Sequence, residues 1–223
     1  MNKLRPLIIP PLSDHTATLI FLHGRGDTGF GWKDTFEGEL RLPHFKVILP
    51  HAPTRRLARC GGVAMPAWYD SKALAWDGGE VADHVEASRR VVFDLIDEEV
   101  KNGIPGDRIL VGGFSQGAAV SLFSGLTYHR RLAGVIALSG YLLQHNRFPG
   151  ECQANKNTPI FFGCGDSDSI VPYEGLMKKS YDYIDGFQDG IQFHVYRNLD
   201  HEINHQELDD IKDFIEKVAP RNS

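Results

Sequence analysis

Apolar positions along the chain follow two alternating periods. Short apolar runs bounded by turn residues recur at Thr18–His23, Phe45–Leu49, Arg108–Gly112, Leu132–Leu138, Pro159–Gly163 and Ile191–Tyr196, and each predicts a buried strand. Between several of them the period changes to that of a helix. Val81–Asn102 sets Val81, Val85, Val92, Ile96 and Val100 on one face, and a last helix aligns Leu208, Ile211, Ile215 and Val218. This alternation predicts an α/β fold, a mostly parallel central sheet with helices on both faces. In such sheets ligands bind at the carboxyl ends of the strands, so chemistry is expected just after a strand. No repeat, low-complexity tract or linker divides the chain, which is expected to form one domain over residues 1–223. Two long segments, 50–80 and 140–158, break the alternation and are expected as loops around the site. The second is too short for a cap domain, so the site is expected to be open to a bulky substrate.

One strand-to-helix junction carries a chemical pattern. Ile109-Leu110-Val111 runs into Gly113-Phe114-Ser115-Gln116-Gly117, and Ala118-Ala119-Val120-Ser121-Leu122-Phe123 continues as a buried helix. A G-x-S-x-G at such a junction is a nucleophile elbow, which lifts its serine onto a tight turn between glycines. Serine needs a histidine base, itself oriented by a carboxylate, and in α/β-hydrolases the chain order is serine, acid, histidine. Past the strand Pro159–Gly163 lie Asp166 and Asp168. Asp168 is the expected acid, since it falls in a G-x-x-D-x-x-V-P spacing, while Asp166 is expected to cap a turn. Among later histidines, His201 follows the last strand by one short loop and is the expected base. His194 lies inside a strand, and His205 is expected one turn into the last helix, facing solvent. The second oxyanion donor is expected after an early strand, in His23-Gly24-Arg25-Gly26-Asp27, which pairs the backbone N–H of Arg25 with that of Gln116.

Composition removes several other classes. A net charge of −5 without a Lys/Arg block gives no footprint for nucleic acid. Cys60, Cys152 and Cys164 are widely separated, which excludes a disulfide framework or a zinc site of cysteines. Met1 to Pro6 is too short and proline-interrupted for a secretory signal, so a cytoplasmic address is expected. Two motifs compete with the elbow. Gly24-Arg25-Gly26-Asp27-Thr28-Gly29 satisfies G-x-G-x-x-G, yet Gly29-Phe30-Gly31 interrupts any helix start and no acid ends the next strand. His201-Glu202-Ile203-Asn204-His205 satisfies H-E-x-x-H, but the acids that follow lie on the same predicted helix and cannot fold back as a third ligand. No cofactor and no metal are expected.

His23-Gly24-x-Gly26-Asp27, His51-Ala52-Pro53, Met65-Pro66-Ala67-Trp68-Tyr69-Asp70, Glu98 to Pro105, Gly112 to Gly117 and Leu132-Ala133-Gly134-Val135 occur in one order, followed by the acid loop. Together they resemble the acyl-protein thioesterase and lysophospholipase group of the phospholipase/carboxylesterase family, from about Leu19 to Val218. The resemblance implies a compact α/β-hydrolase with Ser115, Asp168 and His201 as triad and the amides of Arg25 and Gln116 as oxyanion hole. It implies hydrolysis of fatty-acyl thioesters on proteins, or of small carboxylic or lysophospholipid esters. The alternatives are a short-chain carboxylesterase or lysophospholipase without protein specificity and, more distantly, a non-catalytic binding protein on the same scaffold. An acylated protein or small acyl ester is the expected partner, with transient membrane-surface contact through the substrate and no stable partner. Met65, Trp68, Leu74 and Trp76 are expected to line an acyl channel, the alternative for each being ordinary loop packing. Arg25 stands where the family has an apolar residue, Cys164 replaces a histidine, Ser169 a proline and Asn198 a glycine; asparagine tolerates a positive φ.

Overall fold

In the computed structural model, which describes residues 5–221, the apolar runs become strands and the periodic stretches become helices; residues 1–4, read above as too short for a leader, lie outside it. In chain order the elements are β1 (Leu7–Ile9), β2 (Ala17–Leu22), α1 (Lys33–Glu37), β3 (Phe45–Leu49), β4 (Thr54–Leu57), β5 (Val63–Pro66), α2 (Ala82–Lys101), β6 (Ile109–Phe114), α3 (Gln116–Thr127), β7 (Gly134–Leu138), β8 (Ile160–Gly165), α4 (Lys178–Asp185), β9 (Ile191–Tyr196) and α5 (His205–Val218). The main sheet runs β1-β3-β2-β6-β7-β8-β9. Every neighbouring pair is parallel except β1 with β3.

Alternating side chains leave each strand on opposite faces, so one sheet feeds two cores. Ile20, Leu22, Val111, Val135, Ala137 and Phe162 join Val85, Val92 and Ile96 of α2 and the buried side of α3. Leu19, Phe21, Leu110, Ile136, Leu138 and Phe161 join Phe36 of α1 and Leu208, Ile211, Phe214 and Ile215 of α5. Helices therefore cover both faces, and strands buried on both sides read as continuous apolar runs. Helix α3 is buried from Gly117 to Leu126 because it packs against both the sheet and α2. Val81 departs from the expected apolar face: it precedes α2 and is exposed. Glu99 is the other departure. It sits on the buried face of α2 and receives Lys46 Nζ at 2.5 Å and Thr18 Oγ1 at 2.7 Å, which offsets much of the cost of burying its charge.

The two expected loops differ from one another. Residues 50–80 are not wholly irregular, since β4 and β5 pair as an antiparallel hairpin. Residues 139–159 build no cap. Their Tyr141, Leu142 and Leu143 are buried, and Arg147 joins Glu86 of α2 to Glu151 at 2.5 and 2.6 Å. No helix among the described residues is long and apolar enough to cross a membrane.

Helix α5 starts where Asn204 accepts the Glu207 N–H at 2.9 Å. Hence His205 stands at its first position, not a turn inside it. The Glu207 side chain turns inward against Gly163, and its Oε1 has no hydrogen-bond partner. Burial, with Asp210 adding to it, raises the Glu207 pKa to about 8. The folded protein thus holds a proton that the unfolded chain releases near 4.5, so this group's contribution is fully present below pH 4.5 and lost as pH rises through about 8. Glu207→Gln is expected to leave Tm nearly unchanged at pH 5 and to raise stability at pH 9 by on the order of a few kcal/mol. Thermal melts of both proteins across that range check it; a difference independent of pH contradicts it.

Candidate active site

Four strand ends meet at one edge of the sheet. Strand β6 ends at Phe114 and α3 begins at Gln116, so Ser115 alone makes the turn, with φ 55° and ψ −120°. That conformation is strained for a residue with a Cβ and persists only where packing enforces it. The Ser115 N–H bonds Leu138 O at 2.8 Å, and its carbonyl accepts the Ala119 N–H at 3.1 Å. The flanking glycines are steric requirements. A Cβ on Gly113 would enter the Gly117 backbone, and one on Gly117 would enter the Leu22 and His23 carbonyls.

Asp168 lies beyond β8 with its side chain fully buried. Its Oδ1 accepts the N–H groups of Ile170 and Val171 at 2.9 and 2.8 Å, and its Oδ2 meets His201 Nδ1 at 2.7 Å. Burial pushes this carboxyl up, but the bonds from His201, Val171 and Ile170 together outweigh it and leave the pKa below the ordinary value. Asp168 is therefore an anion that fixes the ring with its Nδ1 proton inward. His201 Nε2 faces Ser115 Oγ at 2.9 Å, and the ring packs on Phe114 with centroids 4.7 Å apart. The three residues picked out by chain order stand in one line.

Two exposed acids hold the loops that carry this pair. Asp166 Oδ1 accepts the Asn198 N–H at 2.7 Å, where Asn198 takes φ 55° as its residue type allows. So Asp166 spans to the base loop rather than capping only its own turn. Asp200 does more. One oxygen accepts the N–H and hydroxyl of Ser169, both at 2.7 Å, and the His201 N–H at 2.8 Å. These bonds, that from the Ser169 N–H foremost, lower the Asp200 pKa. Asp200 was not singled out from the sequence; the available signal was Ser169, whose N–H a proline would lack.

Arg25 and Gln116 both border the cavity containing Ser115, and the backbone N–H of neither has a hydrogen-bond acceptor among the described residues. Gln116 is the first residue of α3, where N–H groups have no partner within the helix. Its side chain is used elsewhere: Oε1 accepts the Trp68 N–H at 2.8 Å, and Nε2 donates to Tyr69 O at 2.7 Å. The loop bearing Arg25 is fixed through His23. Ala52 N–H donates to its Nε2 at 3.0 Å, so Nδ1 carries the proton and donates to Gly24 O at 2.7 Å. Burial lowers the His23 pKa, in keeping with a neutral ring.

The expected acyl channel needs correction. Trp68 is fully buried and donates from its indole to His23 O at 2.8 Å, so it props the Arg25 loop from behind. Trp76 stacks on His145 at 4.3 Å and borders neither cavity of the site. Met65 packs in the hairpin opposite Gly26. Of the four, only Leu74 borders the Ser115 cavity, where Ile170, Val171 and Arg59 join it. The competing motifs also resolve. Gly29–Trp32 is a 3₁₀ turn, capped by Thr28, that runs directly into α1, so the two glycines do not interrupt a helix start as expected. The absence of an acid at the end of β3 remains the argument against a dinucleotide site. His205 pairs with Glu39 at 2.8 Å while His201 engages Asp168 and Ser115, and no group of three or more His, Cys, Asp or Glu that could hold a metal occurs among the described residues. His194 stacks on Phe161 at 4.6 Å, a packed strand residue.

The tie through Asp200 is testable. Asp200→Ala is expected to lower kcat by roughly ten- to a hundredfold with little change in KM, because sub-ångström drift of the base is costly. Steady-state kinetics alongside a thermal melt check this; an unchanged kcat contradicts it.

The chain is similar over nearly its whole length to proteins already known. A family model described as phospholipase/carboxylesterase matches residues 4–219. The chain is 42% identical to acyl-protein thioesterase 1 of Neurospora crassa over 97% of its own length and 92% of that protein. It is 37% identical to acyl-protein thioesterase 1 of Gibberella zeae, covering 98% of this chain and 97% of that one. The crystal structure of acyl-protein thioesterase 2 from Zea mays superposes with a TM-score of 0.87 at 28% identity, covering 96% of this chain and 99% of that one. With a family model matched over nearly its whole length, the chain belongs to the phospholipase/carboxylesterase family.

Proposed function

We propose that this protein is a serine hydrolase that cleaves acyl thioesters on protein cysteines, and related small carboxylic esters, through an acyl-enzyme on Ser115. The observation that carries this reading is the continuous line from Asp168 through His201 to Ser115, with contacts of 2.7 and 2.9 Å. Ser115 Oγ attacks the acyl carbon while its proton passes to His201 Nε2. The carbonyl oxygen becomes an oxyanion between the N–H groups of Arg25 and Gln116. The thiolate leaves with the proton from His201, and the acyl group stays on Ser115. Water then attacks, giving its proton to His201, and the carboxylic acid departs as Ser115 regains the proton. Asp168 stays ionised throughout and stabilises the imidazolium.

Acylated proteins as substrates are supported by the names of the curated relatives and by the short, cap-free 139–159 segment, which leaves the site open. Transient contact with a membrane surface would come through such a substrate. A cytoplasmic address belongs to the same proposal and is supported by three unpaired cysteines. One observation favours a second reading, a short-chain carboxylesterase: the cavity beside Ser115 is about 30 Å³, far less than a long acyl chain fills.

A fluorophosphonate probe is expected to label Ser115, and Ser115→Ala to abolish both labelling and thioester hydrolysis. A folded protein that does not label overturns the enzyme reading. Asp168→Asn is expected to lower kcat by about four orders of magnitude. Asp166→Asn retains an oxygen for the Asn198 N–H and is expected to cost far less. Equal losses from the two substitutions reverse the assignment of the acid.

A further inference from the structure

The cavity containing Ser115 carries two cations for which the proposed reaction has no use. Arg25 and Arg59 both border it, with Leu74, Ile170 and Val171. Among the described residues neither guanidinium has a carboxylate within ion-pairing distance or a side-chain hydrogen bond, whereas Arg55 on the same hairpin donates to Ala67 O at 3.1 Å. The field of both reaches the buried Tyr141 phenol, where Glu80 opposes it. Two like charges in one half-enclosed cleft repel each other, and an anion placed between them relieves the repulsion. The guanidinium fork matches a carboxylate in shape as well as charge.

The other side of the site has the opposite sign. A cavity of about 300 Å³ is bordered by His201 together with Trp32, Phe114, Asp27 and Glu202, and it shares no bordering residue with the cavity containing Ser115. This division fixes which half of a substrate faces which wall. The leaving group must depart beside His201, which protonates it, while the acyl portion stays bonded to Ser115. The acidic wall therefore faces the leaving group and the cationic wall faces the acyl group.

We propose that the acyl groups removed by this protein end in a carboxylate, which Arg25 and Arg59 hold while Leu74, Ile170 and Val171 pack on the methylenes between. The proposal rests on the serine-hydrolase reading and adds its acyl specificity. Arg25 then serves twice, its N–H toward the oxyanion and its side chain toward the acyl terminus.

Matched thioesters of one neutral thiol test it, hexanoyl against the half-acid adipoyl, with enzyme-free rates subtracted. The wild-type protein is expected to favour adipoyl in kcat/KM by about tenfold or more, the scale of a charge-assisted hydrogen bond. The double variant Arg25→Leu/Arg59→Leu is expected to reverse the order, and Arg59→Lys to keep part of it. Fluorophosphonate labelling of each variant reports whether its site is intact. A wild-type preference for hexanoyl, or no preference, overturns the proposal even if no variant folds. So does a ratio that the double variant leaves unmoved. A third substrate, the hexanoyl thioester of a carboxylate-bearing thiol, tests the side of the anion, and its being preferred overturns the acyl placement. If hexanoyl hydrolysis and labelling both fail, the serine-hydrolase reading has fallen; if both succeed with a flat ratio, only the acyl specificity has.

Discussion

How closely α3 can approach the sheet governs everything at this site. Gly117 lies against the carbonyls of Leu22 and His23, and Gly113 against Gly117 itself, distances that no side chain survives. That approach forces Ser115 into a left-handed backbone and leaves the first N–H of α3 free beside its hydroxyl. The same contact brings the end of β2, and with it Arg25, to the other side of the serine. One steric fact therefore sets Arg25 and Gln116, the two proposed oxyanion donors, beside Ser115. The strain is held by the pairing of β6 between β2 and β7 and by the burial of α3 over nearly its whole length.

Three aspartates near the elbow differ in role because they differ in burial. Asp168 is enclosed, and the donors around it overcome the cost of enclosing a charge. Asp166 and Asp200 are exposed and screened, so their Coulomb energies are small. Their effect is geometric: each ties the acid loop to the base loop, across β8 and β9, through short bonds to backbone N–H groups. Two loops free to move separately would spread the His201–Ser115 distance. The bonds from Asp166 and Asp200 join them directly.

Much of the fold was legible because a parallel sheet buried on both faces leaves plain apolar runs. Phe45–Leu49 and Ile191–Tyr196 match their strands end to end, and the others shift by a residue or two. Strand β1 and the hairpin were not legible. Leu7–Ile9 is three residues long, and Thr54–Leu57 with Val63–Pro66 carries charges and a proline instead of alternation, so pairing partners decide its conformation. The line from Asp168 through His201 to Ser115 was legible through chain order together with the spacing of the acid loop and the place of His201 after the last strand. The acyl wall was not, since apolar character cannot tell a residue that borders a cavity from one that props a loop. Trp68 is the example: its indole N–H is spent on His23 O, a bond that no local pattern announces. Nor were the acids on buried helix faces legible: Glu99 is met by Lys46, distant in sequence, and Glu207 turns in against Gly163.

The central claim is that the acyl group passes through Ser115. Intact-protein mass spectrometry on samples acid-quenched during turnover of a thioester tests it directly. The account predicts a transient adduct with the mass of the acyl group, mapped to the peptide bearing Ser115 and absent from Ser115→Ala. Turnover without any adduct under conditions where deacylation limits the rate, or an adduct on a cysteine such as Cys164, contradicts it.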